Sequence, residues 1–179
     1  MNFSDWTLEA IREEGASFSW MEEHRFNWIP QVQHALNNIL NGYSVIVVTD
    51  REFKWFSEYI VDRINQLNKN RPFIPIYNID CLFPSAYNLN DASELDTLYD
   101  MFDISFSNGY LFWYIGSGRH KHYENIEQNK GSIIWRLNHE TEGLFSLNRN
   151  DPLIDIKLIQ SFNLFDKALD GALIGEVEV

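Results

Sequence analysis

Gly42-Tyr43-Ser44-Val45-Ile46-Val47-Val48-Thr49-Asp50-Arg51-Glu52-Phe53-Lys54-Trp55-Phe56 is the stretch that decides the fold. Val45 to Val48 form a short, uninterrupted, β-branched apolar run, the pattern of a strand buried on both faces of a parallel sheet. After it, Phe53, Phe56, Ile60, Ile64 and Leu67 recur at three- and four-residue spacing, which predicts a helix lying with one apolar stripe on that sheet. Asp50 stands where it could cap this helix. Ligands of such folds gather at the carboxyl ends of strands, and phosphate binders there use glycines so that backbone amides can reach the anion. Thr49-Asp50-Arg51-Glu52 has no glycine and two carboxylates, so the turn disfavours a nucleotide or sugar phosphate.

Working outward in both directions, the chain alternates helices and strands. Ser4 or Asp5 is expected to cap a first helix carrying Phe3, Trp6, Ala10 and Ile11 on one side and stopped by Gly15. Ala16 to Ile29 shows no clean period, and Pro30 suits the first turn of a helix with Val32, Ala35, Leu36, Ile39 and Leu40 as its stripe. Beyond the opening unit, Phe73 to Tyr77 reads as a strand that Pro75 pushes to a sheet edge. Asn90-Asp91-Ala92-Ser93-Glu94 offers a variant capping box ahead of a stripe of Leu95, Leu98, Tyr99 and Phe102. Strands are expected at Tyr110–Ile115 and Ser132–Leu137, with a short one near Phe145. Asp151-Pro152 opens a last helix bearing Leu158, Phe162, Phe165, Leu169, Ala172 and Leu173. This alternation predicts an α/β fold, a mostly parallel sheet covered by helices on both sides.

A chain of 179 residues, 45% of them apolar, can bury the core of one compact domain spanning residues 1–179. No run approaches the roughly 20 apolar residues of a membrane helix, and Met1 to Trp6 lack the character of a signal peptide, so a cytoplasmic protein is expected. The one cysteine, Cys81, follows an apolar run and reads as a buried thiol. A net charge of −12 argues against direct contact with nucleic acid, whose phosphates call for clustered Lys and Arg. Six Trp, eight Tyr and thirteen Phe exceed what the inward faces of one small sheet can take, which raises self-association or a partner surface against a well-filled core.

Two stretches could carry chemistry. Gly116-Ser117-Gly118-Arg119-His120-Lys121-His122, at a carboxyl strand end, joins two glycines, a hydroxyl and basic groups. It lacks the Walker pattern and the dinucleotide fingerprint, and a steric need for glycine in the turn explains it as well as an anion does. His120, His122 and Glu124 have alternate spacing that reaches one side only of an extended segment, so a solvated loop is expected rather than a metal site. Asp50, Asp80 and Asp91 could supply a carboxylate pair, yet capping accounts for Asp50 and Asp91. No Gly-x-Ser-x-Gly elbow occurs, and neither a cofactor nor a metal is implied.

Asp5-Trp6, Glu14-Gly15, Trp20-Met21-Glu22, Asn41-Gly42, Trp55-Phe56, Tyr59-Ile60, Arg71-Pro72, Asn90-Asp91-Ala92, Phe112-Trp113 and Asp155-x-Lys157-Leu158 together resemble the HobA family, DnaA-associating proteins of Helicobacter and Campylobacter. The resemblance spans the chain and rests on the order of scattered matches rather than on an active-site signature. It implies a sugar-isomerase-like three-layer α/β/α sandwich without isomerase activity. It further implies a homotetramer that holds copies of the initiator DnaA by their amino-terminal domains and promotes their assembly at the replication origin. Partner contacts carried over from the family fall on Trp20 and Met21, which match a Trp-Leu pair, and on Leu173 and Ile174, where the family has Leu-Tyr. Ile174 keeps the apolar surface and loses the hydroxyl. The competing function is a sugar-phosphate isomerase or phosphosugar sensor with Gly116, Ser117, Gly118 and Arg119 as its anion cradle.

Overall fold

A computed structural model describes residues 1–84, 91–129, 131–138 and 143–179. Five strands, β1 (Ser44–Thr49), β2 (Ile76–Asn78), β3 (Tyr110–Gly116), β4 (Ile133–Leu137) and β5 (Phe145–Leu147), make one sheet in the order β2-β1-β3-β4-β5. Every neighbouring pair is parallel, with β1 and β3 in register from Ser44 opposite Tyr110 to Thr49 opposite Ile115. All six residues of β1 are buried, as its unbroken apolar run requires. β2 takes an edge, with Pro75 just outside it.

Alternation along the strands sorts the two layers. Val45, Val47, Leu111, Trp113, Ile115 and Trp135 face one way. Against them pack α1 (Phe3–Glu13), α2 (Met21–Leu40), α3 (Lys54–Ile64) and α7 (Ile154–Leu173). Ile46, Val48, Phe112, Tyr114 and Ile134 face the other way, under α4 (Ile79–Leu82), α5 (Ala92–Ser105) and α6 (Tyr123–Gln128). The result is the α/β/α sandwich that the alternation predicts. The aromatic surplus goes mostly inward: Trp28, Trp113, Trp135 and nine other rings are among the largest fully buried side chains, with Trp113 set 4.4 Å from Phe165 and 5.0 Å from Trp135. Rings left substantially exposed include Phe26 and Phe73.

Four expectations need correction. Asn2 caps α1, its side chain accepting from the Asp5 amide at 2.9 Å, so Ser4 and Asp5 lie inside the first turn. α2 begins at Met21 and runs through Pro30 rather than starting there. A proline inside a helix costs about 3 kcal/mol, but the turns before it bury Met21 and Trp28 completely, at roughly 2–3 kcal/mol apiece. α3 stops at Ile64 because the Asn65 side chain bonds both backbone groups of Ile74, at 2.8 and 2.9 Å, which leaves Leu67 in the following turn 99% exposed. Cys81 is exposed: α4 buries Ile79, and a residue two positions on lies about 200° around the helix. Asn90 lies outside the described residues, while Asp91, the Asp of the expected Asp-x-x-Glu capping box, caps α5 as expected, accepting from the Ser93 amide at 3.2 Å.

Two ties close the molecule. Arg71 donates to Asp166 and Asp170 at 2.6 Å each, and Lys69 also pairs with Asp166, so the segment between α3 and β2 is pinned to α7. At the chain ends, the Glu178 amide donates to the Met1 carbonyl at 3.1 Å and Asn2 bridges Glu178. Among the described residues no helix is long and apolar enough to cross a membrane.

Candidate functional site

The turn after β1 and the loop after β3 meet because β1 and β3 are parallel neighbours whose carboxyl ends lie side by side. Asp50 does not cap the helix that follows it; its side chain crosses to the other loop. Oδ2 accepts from the Ser117 amide and from Ser117 Oγ, both at 2.8 Å, and Oδ1 accepts from the Tyr114 hydroxyl at 2.8 Å. The Gly118 amide in turn donates to the Tyr114 oxygen at 3.0 Å. The glycine-rich loop therefore does cradle an anion, and that anion is the chain's own carboxylate. Any β-carbon on Gly116 would overlap the Asp50 carboxylate, and Gly118, at φ +80°, lies against the Arg136 guanidinium. The cradle proposed on Gly116, Ser117, Gly118 and Arg119 is thus filled at Ser117 from within. Burial, helped by the Asp50 charge and hydrogen bond, pushes the Tyr114 hydroxyl far above its ordinary range and keeps it a donor.

The histidines that follow are not a solvated loop. His122 is completely buried with Nδ1 3.4 Å from the Tyr99 hydroxyl, and its ring stacks 5.2 Å from that of the partly buried His120. Burial first, then the neighbouring His122, lowers His120 to about 4, so its ring is neutral near pH 7. Burial also pushes Tyr99 up to about 12. Among the described residues no group of three or more His, Cys, Asp or Glu could hold a metal. Asp80, 3.3 Å from Lys54 Nζ, stays on the β2 side and joins no carboxylate pair with Asp50 or Asp91. Tyr114 and Arg136 were invisible as members of this network. Tyr114 gives one signal, since it alternates with Trp113 and Ile115 and so emerges on the loop's side of the sheet.

On the opposite layer, the four residues assigned to a partner separate. Trp20, half-buried, donates from Nε1 to Gln160 Oε1 at 3.0 Å, with Lys157 Nζ 5.1 Å from its ring centre. Met21 is fully enclosed. Leu173 ends α7 half-buried, and Ile174 just beyond it is 78% exposed. From Gln160 to Ile174 the helix rises about 20 Å, so Trp20 and Ile174 lie toward opposite ends of one helix face. A small cleft lies beside this face, bordered by Ala10, Glu14 and Phe18 on one side and by Gln160, Asn163, Leu164 and Lys167 of α7 on the other, with Lys167 donating to Glu14 at 2.6 Å across it.

Comparison with known proteins points to the same layer architecture and to a regulator of DNA replication. A family model described as HobA, a DNA replication regulator, matches residues 1–179. The DNA replication regulator protein HobA of Helicobacter pylori (strain ATCC 700392 / 26695) is 31% identical over 183 positions, covering 98% of each chain. The crystal structure of HobA from Helicobacter pylori is similar at a TM-score of 0.75 and 28% identity, covering 100% of this chain and 99% of that one. HobA in its crystallised complex with DnaA (domain I-II), from the same organism, gives 0.74 and 29% over the same shares.

Proposed function

The chain belongs to the HobA family of DNA replication regulators, and from that membership we propose that it binds domains I and II of its cognate DnaA and promotes assembly of the initiator at the replication origin. Its main support is the full-length likeness to the HobA crystallised with those DnaA domains. The protein acts as a homotetrameric scaffold in the cytoplasm and carries out no bond chemistry; displaying several contact sites at once raises the local concentration of bound initiator without any new contact. The acidic chain touches DNA only through DnaA.

The contact runs along the exposed face of α7, from Trp20 at one end to Leu173 and Ile174 at the other. Trp20 gives a rigid aromatic anchor and Ile174 an exposed aliphatic one. Met21, fully enclosed in the core, offers no surface to a partner directly. Isomerase chemistry is disfavoured by the Asp50 carboxylate in the place a phosphate would take.

Mixing the purified chain with the cognate DnaA domains tests the reading: a complex should form at or below tens of micromolar, and none at about 50 µM would overturn it. Ile174→Asp, at a site exposed enough to leave the fold intact, should weaken the complex by about tenfold or more, measured by calorimetry.

A further inference from the structure

We propose that Asn108 is a site of spontaneous covalent modification, its side-chain amide lost through a cyclic imide to leave aspartate and isoaspartate, while the fold protects Asn41 in the same local sequence. Asn-Gly-Tyr occurs twice, as Asn41-Gly42-Tyr43 and as Asn108-Gly109-Tyr110. No other asparagine of the chain precedes a glycine. Glycine makes such a pair reactive, because its missing side chain leaves the main-chain nitrogen open to the asparagine one residue back. The two turns lead into β1 and β3, and those strands are parallel neighbours, so the turns sit side by side: a β-carbon on Gly42 would stand 3.6 Å from Asn108 Nδ2. What differs between them is how each asparagine is held.

Asn41 caps the end of α2. Its Nδ2 donates to the Asn37 carbonyl at 2.9 Å, and its backbone amide donates to the same carbonyl at 3.1 Å. At ψ 7° the Gly42 nitrogen is turned away from the Asn41 β-carbon, so a five-membered ring closes only if the end of the helix comes undone. Asn108 is exposed, and among the described residues its side chain has no hydrogen bond to hold it. One tie resists attack there, the bond from the Gly109 amide to the Phe106 carbonyl at 2.8 Å, which Gly42 matches with Ile39 at 2.9 Å. At Asn108 that tie breaks in a local opening of an exposed turn, without loss of helix.

In that opening the Gly109 nitrogen attacks the side-chain carbonyl carbon of Asn108. A nitrogen–carbon bond forms, the bond to Nδ2 breaks, and Nδ2 leaves as ammonia with the proton of the Gly109 amide. Water then opens the imide, its hydroxyl going to one carbonyl carbon and its remaining proton to the nitrogen. Opening at the side-chain carbonyl leaves ordinary aspartate; opening at the main-chain carbonyl leaves isoaspartate, whose chain runs through the side chain and is longer by a carbon. That extra atom falls just before Gly109, whose carbonyl accepts from the Ser44 amide at 3.1 Å where the β1 and β3 ladder begins. Gly109 also lies so close to Tyr43 that a β-carbon on it would come within 2.7 Å of the ring. The lengthened chain therefore loses the first rung of the ladder and its packing on Tyr43.

Ageing the full chain in warm, mildly alkaline buffer, folded and in urea, tests the proposal by peptide mass mapping, with isoaspartate counted by an isoaspartyl methyltransferase. In urea the two sites should convert at rates within about threefold of each other; in the folded chain Asn108 should convert at least about tenfold faster than Asn41. The aged folded chain should melt about a few degrees below the fresh one, and Asn108→Ser should both stop the isoaspartate and hold the melting temperature through ageing. The proposal is overturned by equal rates at the two sites in the folded chain, or by an intact Asn108 there when half the urea sample has converted. Isoaspartate accumulating as fast in Asn108→Ser, or an aged chain that melts with the fresh one, would overturn it as well.

Discussion

At the scale of single residues, the Gly116 to Gly118 loop owes its composition to a carboxylate 67 positions earlier in the chain. Gly118→Ala should destabilise the protein by about 2 kcal/mol in urea unfolding, because it combines a positive φ with overlap against Arg136. His120 adds a pH dependence whose sign is fixed. Its folded value of about 4 lies below the ordinary 6.5, so between these values the unfolded chain binds the extra proton. Stability from this residue is complete above pH 6.5 and falls as the pH drops toward 4, by roughly 3 kcal/mol in all. His120→Gln should flatten that part of the curve, read as the difference between variant and parent in urea unfolding across the window. The two glycines and the histidines were legible in the sequence as a loop of interest. What the loop holds was not, because no local spacing records a bond from Asp50 to Ser117 or the reach of Tyr114.

At the scale of elements, strands read more truly than helix ends. The β-branched run at Val45 to Val48 and the aromatic one at Leu111 to Ile115 leave little choice of structure or burial. Helix boundaries depend instead on partners distant in sequence. Pro30 looks like a beginning because local chemistry favours it there, and only the packing of Met21 and Trp28 extends α2 back past it. Pro30→Ala should therefore stabilise the protein, by about 1–2 kcal/mol in thermal or urea unfolding, as the missing amide returns to the helix. Leu67 belongs to the helical period of α3, but Asn65 turns the chain one residue after the helix ends.

At the scale of the whole molecule, alternating strands and helices gave the parallel sheet and its two layers, since crossovers of this length permit little else. The proposed partner surface was legible only through resemblance. Trp20 and Ile174 are far apart in sequence, and nothing but the length of α7 places them on a common face. A tetramer is the expected assembly, so light scattering of the pure protein at micromolar concentration should give the mass of four chains. Addition of the DnaA domains should then raise that mass in steps of one domain pair. The hydrogen bond between Met1 and Glu178 has a practical side here. Because both chain ends leave the surface together, just beyond Ile174, an affinity tag or fluorescent fusion on either end emerges beside the same patch. Swapping a tag from one terminus to the other will not relieve steric blockage of that contact; a label on the exposed thiol of Cys81, in the opposite helical layer, will.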